Sequence, residues 1–177
     1  MAADAAAIET RARRAYEYGR VRLGLRRAAV VLPMAALSVF ACGRPTASCL
    51  TALILAACVL VFEWRGQALG GGGRIGLLAG LPPLLLPLLL QAGGVVCSQS
   101  FCTFYPIACV AGGIVGGVFL GLSGARRGLT APGLASAAVI AALCGTLGCL
   151  IGGMTGLLGL LIGLGAGVTP VLVYRRA

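Results

Sequence analysis

Only six charged residues, Arg44, Glu63, Arg65, Arg74, Arg126 and Arg127, interrupt the chain between residues 28 and 173. A water-soluble core of that length needs a polar coat, and this stretch cannot supply one. Its surface can face only lipid or protein. With 59% of the 177 residues hydrophobic and 10% charged, the composition lies far from that of soluble domains. The chain reads as an all-α integral membrane protein.

Arginine-containing connections divide it into three apolar blocks, residues 28–64, 75–125 and 131–174. One crossing takes about 20 residues, so each block is long enough for a hairpin. The expected fold is six transmembrane helices as three tandem hairpins, with both termini on one side. "CGRPTASC" (42–49) and "CSQSFCTFYP" (97–106) carry the turn residues of two far-side loops. The first two spans, about 28–41 and 49–64, are short and lean on Arg26, Arg27 and Trp64 as snorkelling flanks. Pro82, Pro83 and Pro87 remove backbone donors from the third and predict a bend. The organisation is thus a basic N-terminal helix (1–27), a bundle (28–174) and a short tail (175–177).

All 14 basic residues are arginine and there is no histidine, so the net charge of +10 is permanent at physiological pH. Such a charge is often a nucleic-acid signature, but these arginines stand at the ends of apolar segments. They read as orientation signals, not direct nucleic-acid contacts. On the hairpin topology 13 lie on the side of the termini and only Arg44 lies opposite. The positive-inside rule then places both termini in the cytoplasm of a bacterial inner membrane.

The later spans carry glycines at four-residue spacing: Gly112 and Gly116; Gly113, Gly117 and Gly121; Gly148, Gly152 and Gly156; Gly159, Gly163 and Gly167. Such stripes let helices pack backbone to backbone. They also allow an oligomer.

Eight cysteines recur in matching sets, Cys42/Cys97/Cys144, Cys49/Cys102/Cys149 and Cys58/Cys109, which suggests a hairpin repeated in tandem. Cys42 with Cys49, and Cys97 with Cys102, flank far-side loops where an oxidising compartment permits disulfides. Their spacing matches neither redox CxxC sites nor zinc sites. Within "CGTLGC", the repeat makes Cys144 and Cys149 a third such pair around a turn at residues 145–148. Length arithmetic instead puts the turn at "GGMTG" (152–156), leaving both cysteines on one helix and unable to bond each other. The repeat is the preferred reading. Cys58 and Cys109 read as packing residues.

Little else in the chain can do chemistry. The only acid beyond residue 17 is Glu63, and no nucleophile sits in a triad or elbow pattern. No enzyme, cofactor or metal site is expected. Glu63, beside Trp64 and Arg65, reads as an interfacial anchor. The segment before the first span favours a helix, with Glu9 and Arg13 at supportive spacing and Gly19 and Gly24 weakening its second half. Arg11, Arg13, Arg14, Arg20 and Arg22 could face anionic lipid. Ile8, Ala12, Tyr16 and Leu23 could instead dock on a cytoplasmic protein, and a bare topology signal is the third option.

With its cysteines, this layout resembles the small bacterial anti-sigma factors built as a six-span bundle behind a short cytoplasmic N-terminal segment. That resemblance implies an N-terminal segment that sequesters a transcription factor and a bundle that senses stress. The expected function is a non-enzymatic sensor or regulatory subunit. A small transporter or channel component is the alternative, motivated by the proline-bearing third span and the glycine-rich fifth and sixth.

Overall fold

The computed structural model describes residues 2–42, 45–65, 67–92, 104–149 and 153–174, and their regular structure is entirely helical. The elements are α1 (Ala2–Ala29), α2 (Val31–Cys42), α3 (Pro45–Arg65), α4 (Gln67–Ala92), α5 (Phe104–Arg126), α6 (Ala131–Cys149) and α7 (Gly153–Tyr174). Six stretches of these helices are long and apolar enough to cross a membrane: Arg11–Phe40, Pro45–Arg65, Leu69–Leu90, Pro106–Arg126, Ala131–Cys149 and Met154–Val171. The protein has the architecture of an all-α membrane protein.

The first crossing is two helices in series. Pro33 has no N–H to give the carbonyl of Ala29, and its ring crowds that oxygen. The helix therefore breaks at Val30, whose N–H turns back to Arg27 O at 3.1 Å. The basic segment and the first span share this rod, with no break at residue 27. Proline opens α3 at Pro45, where its missing donor costs nothing. The α5–α6 reversal is a Schellman motif: Gly128 has φ 61°, Leu129 N–H reaches Gly124 O at 3.0 Å, and Gly128 N–H reaches Ala125 O at 3.4 Å.

The three hairpins are present as connections, yet the tightest packing crosses between them. Parallel helices α4 and α6 form one intimate pair and α5 and α7 another, while α6 and α7 touch little. Glycine decides this. A Cβ on Gly72 would overlap Gly133 O and Ser136 Oγ, one on Gly76 would lie 2.5 Å from Ala137 O, and one on Gly80 would overlap the Cys144 side chain. On the other pair, Gly113 and Gly117 would place a Cβ 2.7 Å from Leu160 O and 2.6 Å from Leu164 O. Antiparallel α4 and α5 join the pairs, and α2 and α3 flank α4 and α6. Ser38 Oγ lies 3.2 Å from Ser48 Oγ and donates to Leu147 O at 2.7 Å, linking α2, α3 and α6 at the end away from the arginines.

Besides the first two spans, which at 30 and 21 residues (Arg11–Phe40 and Pro45–Arg65) are not short, two expectations are corrected. "GQALGGGGR" reads as a connection reaching Arg74, but residues 67–74 are the first two turns of α4. Four successive glycines are poor helix formers, but Gly72 packs on the α6 backbone where a side chain would overlap, and Gly70 and Gly73 border the Glu63 carboxylate. The second correction concerns Cys144 and Cys149, which lie on one unbroken helix, so the turn at residues 145–148 and its short-loop disulfide do not exist. Five residues apart, they face different neighbours. Cys144 Sγ lies 3.8 Å from Met34 Sδ, and Cys149 packs on α5. Gly145 and Gly148 serve packing, meeting Leu160 and the backbone of Leu84.

Candidate functional site

Charged side chains converge at the arginine end, where α1 crosses the end of α3. Gly24 makes the crossing possible, since a Cβ there would already stand 3.3 Å from Leu60 and 3.6 Å from Glu63 Cβ. One turn earlier Arg20 reaches past the end of α3, donating through Nη2 to Glu63 O at 3.0 Å and to Trp64 O. Those carbonyls belong to the last turn of α3 and have no partner within the helix, so a guanidinium both satisfies them and complements the negative end of the dipole. The Arg20 guanidinium also sits 5.6 Å from the Tyr16 ring centroid, within cation–π range.

One turn later Arg27 Nη1 forms an ion pair with Glu63 Oε1. The Glu63 side chain is 9% exposed and that of Arg27 16%, so this pair is largely shielded from water. Shielding comes from α4. A Cβ on Gly73 would lie 2.8 Å from Glu63 Oε1, and one on Gly70 3.5 Å from Oε2, so the glycine run makes room for the carboxylate as well as for α6. The carboxylate rests beside the first two turns of α4, the positive end of that helix. Arg27 Nε is buried and lacks a hydrogen-bond partner among the described residues. A cavity of about 310 Å³ opens beside the pair, lined by Tyr16, Arg20, Leu23, Arg27, Glu63, Gly70 and Gly71.

Glu63 and Arg27 therefore join α3 to α1. The signal was available. Glu63 is the only acid beyond residue 17 in a chain with 14 arginines, and an antiparallel first hairpin brings residues 27 and 63 level.

The other residues singled out in the sequence are dispersed. Arg11, Arg13, Arg14 and Arg22 are exposed on α1, and Arg13 pairs with Glu17 at 3.3 Å, an exposed contact of small energetic weight. The Ile8 side chain lies outside the described residues, as do Cys97, Cys102, Gly152 and the side chain of Cys42. Cys49 is exposed on the first turns of α3 and, among the described residues, carries no disulfide. Gly112 and Gly116 face Pro83 and Ala79 of α4; Gly156 meets Cys149, Gly159 meets Pro106 and Val110, and Gly163 and Gly167 meet the α5 backbone. Among the described residues no three His, Cys, Asp or Glu side chains are grouped to hold a metal. Comparison with protein-family models, curated proteins and solved structures finds no match. The functional reading rests on the geometry.

Proposed function

We propose that the chain is a non-enzymatic sensor or regulatory subunit of a bacterial inner membrane, with its arginine end in the cytoplasm and α1 as a partner-binding stalk. The observation that carries this reading is the contrast along α1. Arg20, Gly24 and Arg27 hold its second half against α3, whereas Arg11, Arg13, Arg14 and Tyr18 stand exposed beyond the end of α3. Residues 2–19 extend roughly 25 Å at about 1.5 Å per residue. A helix rooted in this way points away from the bilayer, which favours docking on an acidic protein surface over lying on lipid.

Arg20 and Arg27 supply the coupling, because any tilt of α3 relative to α4 moves the anchors of the stalk. The resemblance to membrane anti-sigma factors would make the partner a transcription factor. The sidedness follows from the arginine asymmetry. Capture of a cytoplasmic protein by the detergent-solubilised full chain, lost on deleting residues 1–19, is the expected result. Solute flux in proteoliposomes, unchanged by that deletion, would replace this reading with a small transporter.

A further inference from the structure

Consecutive helices α5 and α6 pack sparsely, yet each places one cysteine at a shared point near the end opposite the arginines. Cys109, in the second turn of α5, and Cys149, the last residue of α6, are 0% and 1% exposed, with Sγ atoms 2.6 Å apart. That separation is well inside van der Waals contact. Helix α7 closes over them through a residue without a side chain: a Cβ on Gly156 would lie 3.5 Å from both Cys109 Sγ and Cys149 Cβ. The pairing follows neither the cysteine repeat nor sequence proximity, since the two are 40 residues apart.

We infer that Cys109 and Cys149 are a redox site, a dithiol that becomes an interhelical disulfide when the outer end of the bundle meets a disulfide donor. The compartment follows from the proposed topology, in which the end opposite the arginines faces the periplasm. The donor is a thiol oxidoreductase or a low-molecular-weight disulfide. Cys149, at the helix end, loses its proton and attacks one donor sulfur, forming a mixed disulfide and releasing a donor thiolate. Deprotonated Cys109 then attacks Cys149 Sγ and expels the second donor thiolate. Two electrons pass to the donor and its two thiolates take up the two protons. Burial under Gly156 makes exchange occur before α7 docks, or when it parts from α5. The bond would fasten two helices whose own packing is slight.

The test uses the full chain in its native membrane. Thiols are alkylated, the protein is denatured and an arginine-specific protease cuts between the cysteines, giving fragments 75–126 and 128–175. The fragments should migrate together without reductant and apart with it. Linkage should survive in C144S and in the C97S/C102S variant, and vanish in C109S. Should C109S fail to accumulate, cleavage of the linked wild-type fragments after Phe104 and Leu147 isolates the bonded sulfurs for mass spectrometry, and a peptide joining Cys109 to Cys149 is the expected mass. Separate wild-type fragments without reductant, or linkage through any other cysteine, would overturn the inference. A reporter fused at residue 177 reads sidedness independently: a cytoplasmic C-terminus with separate fragments sinks the redox site alone, and an external one sinks the topology.

Discussion

At the scale of single residues, the largest electrostatic commitment is Glu63. Its partner Arg27 is shielded by α4, so neutralising the carboxylate leaves a cation in a poorly solvated place. Removing one member of a buried pair is far costlier than losing an exposed one. Glu63→Gln should destabilise the bundle by about 3 kcal/mol, whereas Glu17→Gln, on the exposed Arg13 contact, should cost under about 1 kcal/mol. Thermal unfolding in detergent measures both, and equal midpoints would deny the pair its structural role. Glycines give a second residue-scale contrast. Gly19 has no neighbour within 4 Å of where a Cβ would stand, so Gly19→Ala should stabilise α1 by roughly 0.5–1 kcal/mol. Gly116→Ala would drive a methyl into Ala79 O and should destabilise instead.

At the scale of elements, the prolines of α4 and the glycines around it are parts of one arrangement. Pro83 leaves Ala79 O without its helical donor, and Pro87 does the same to Pro83 O. Gly116 of α5 presses on Ala79 O, and Gly148 of α6 would set a Cβ 2.9 Å from Pro83 O. Backbone Cα–H groups therefore approach the carbonyls that the prolines vacate, a weak but recurrent helix–helix contact. The α5–α7 pair depends on close approach even more directly. Gly163→Val should force these helices apart and destabilise the protein by about 1–3 kcal/mol or more, because a side chain there meets Val110 O and Gly113 Cα. Gly165→Val, two residues on and in open space, should leave the unfolding midpoint within about half a kcal/mol of the parent. Similar losses at both positions would mean that helix propensity, not the interface, sets the cost.

At the scale of the molecule, the stalk is separable from the bundle on its near side only. Residues 11–15 are exposed, while contacts with α3 begin around Arg20. Deleting residues 1–14 should therefore leave the thermal midpoint of the bundle unchanged, and deleting residues 1–27 should lower it by removing both arginine anchors. Circular dichroism melts of the two truncations decide this, and equal melts would place the anchors outside the stable unit.

The number of crossings was legible in the sequence, because block length against bilayer thickness is a one-dimensional constraint and six charges leave few ways to divide the chain. The α5–α7 glycine stripes could likewise be read locally, whereas Pro45 and Pro106, read as loop residues, lie in the first turns of α3 and α5. Helix partnership could not be read in this way. Pairing α4 with α6, and not only with its hairpin neighbour, depends on which backbones can approach, and Gly72, the first of the glycines that permit it, stands in a run that local propensity assigns to a loop. The cysteines show the same division. Their sequence spacing suggested a third turn around "CGTLGC", but the middle of the block lies further on, and an unbroken α6 carries Cys149 to Cys109. Spacing along a chain reports which residues can be near each other through a turn. Contacts between helices 40 residues apart are decided by register and close packing, and these exist only once the bundle has formed.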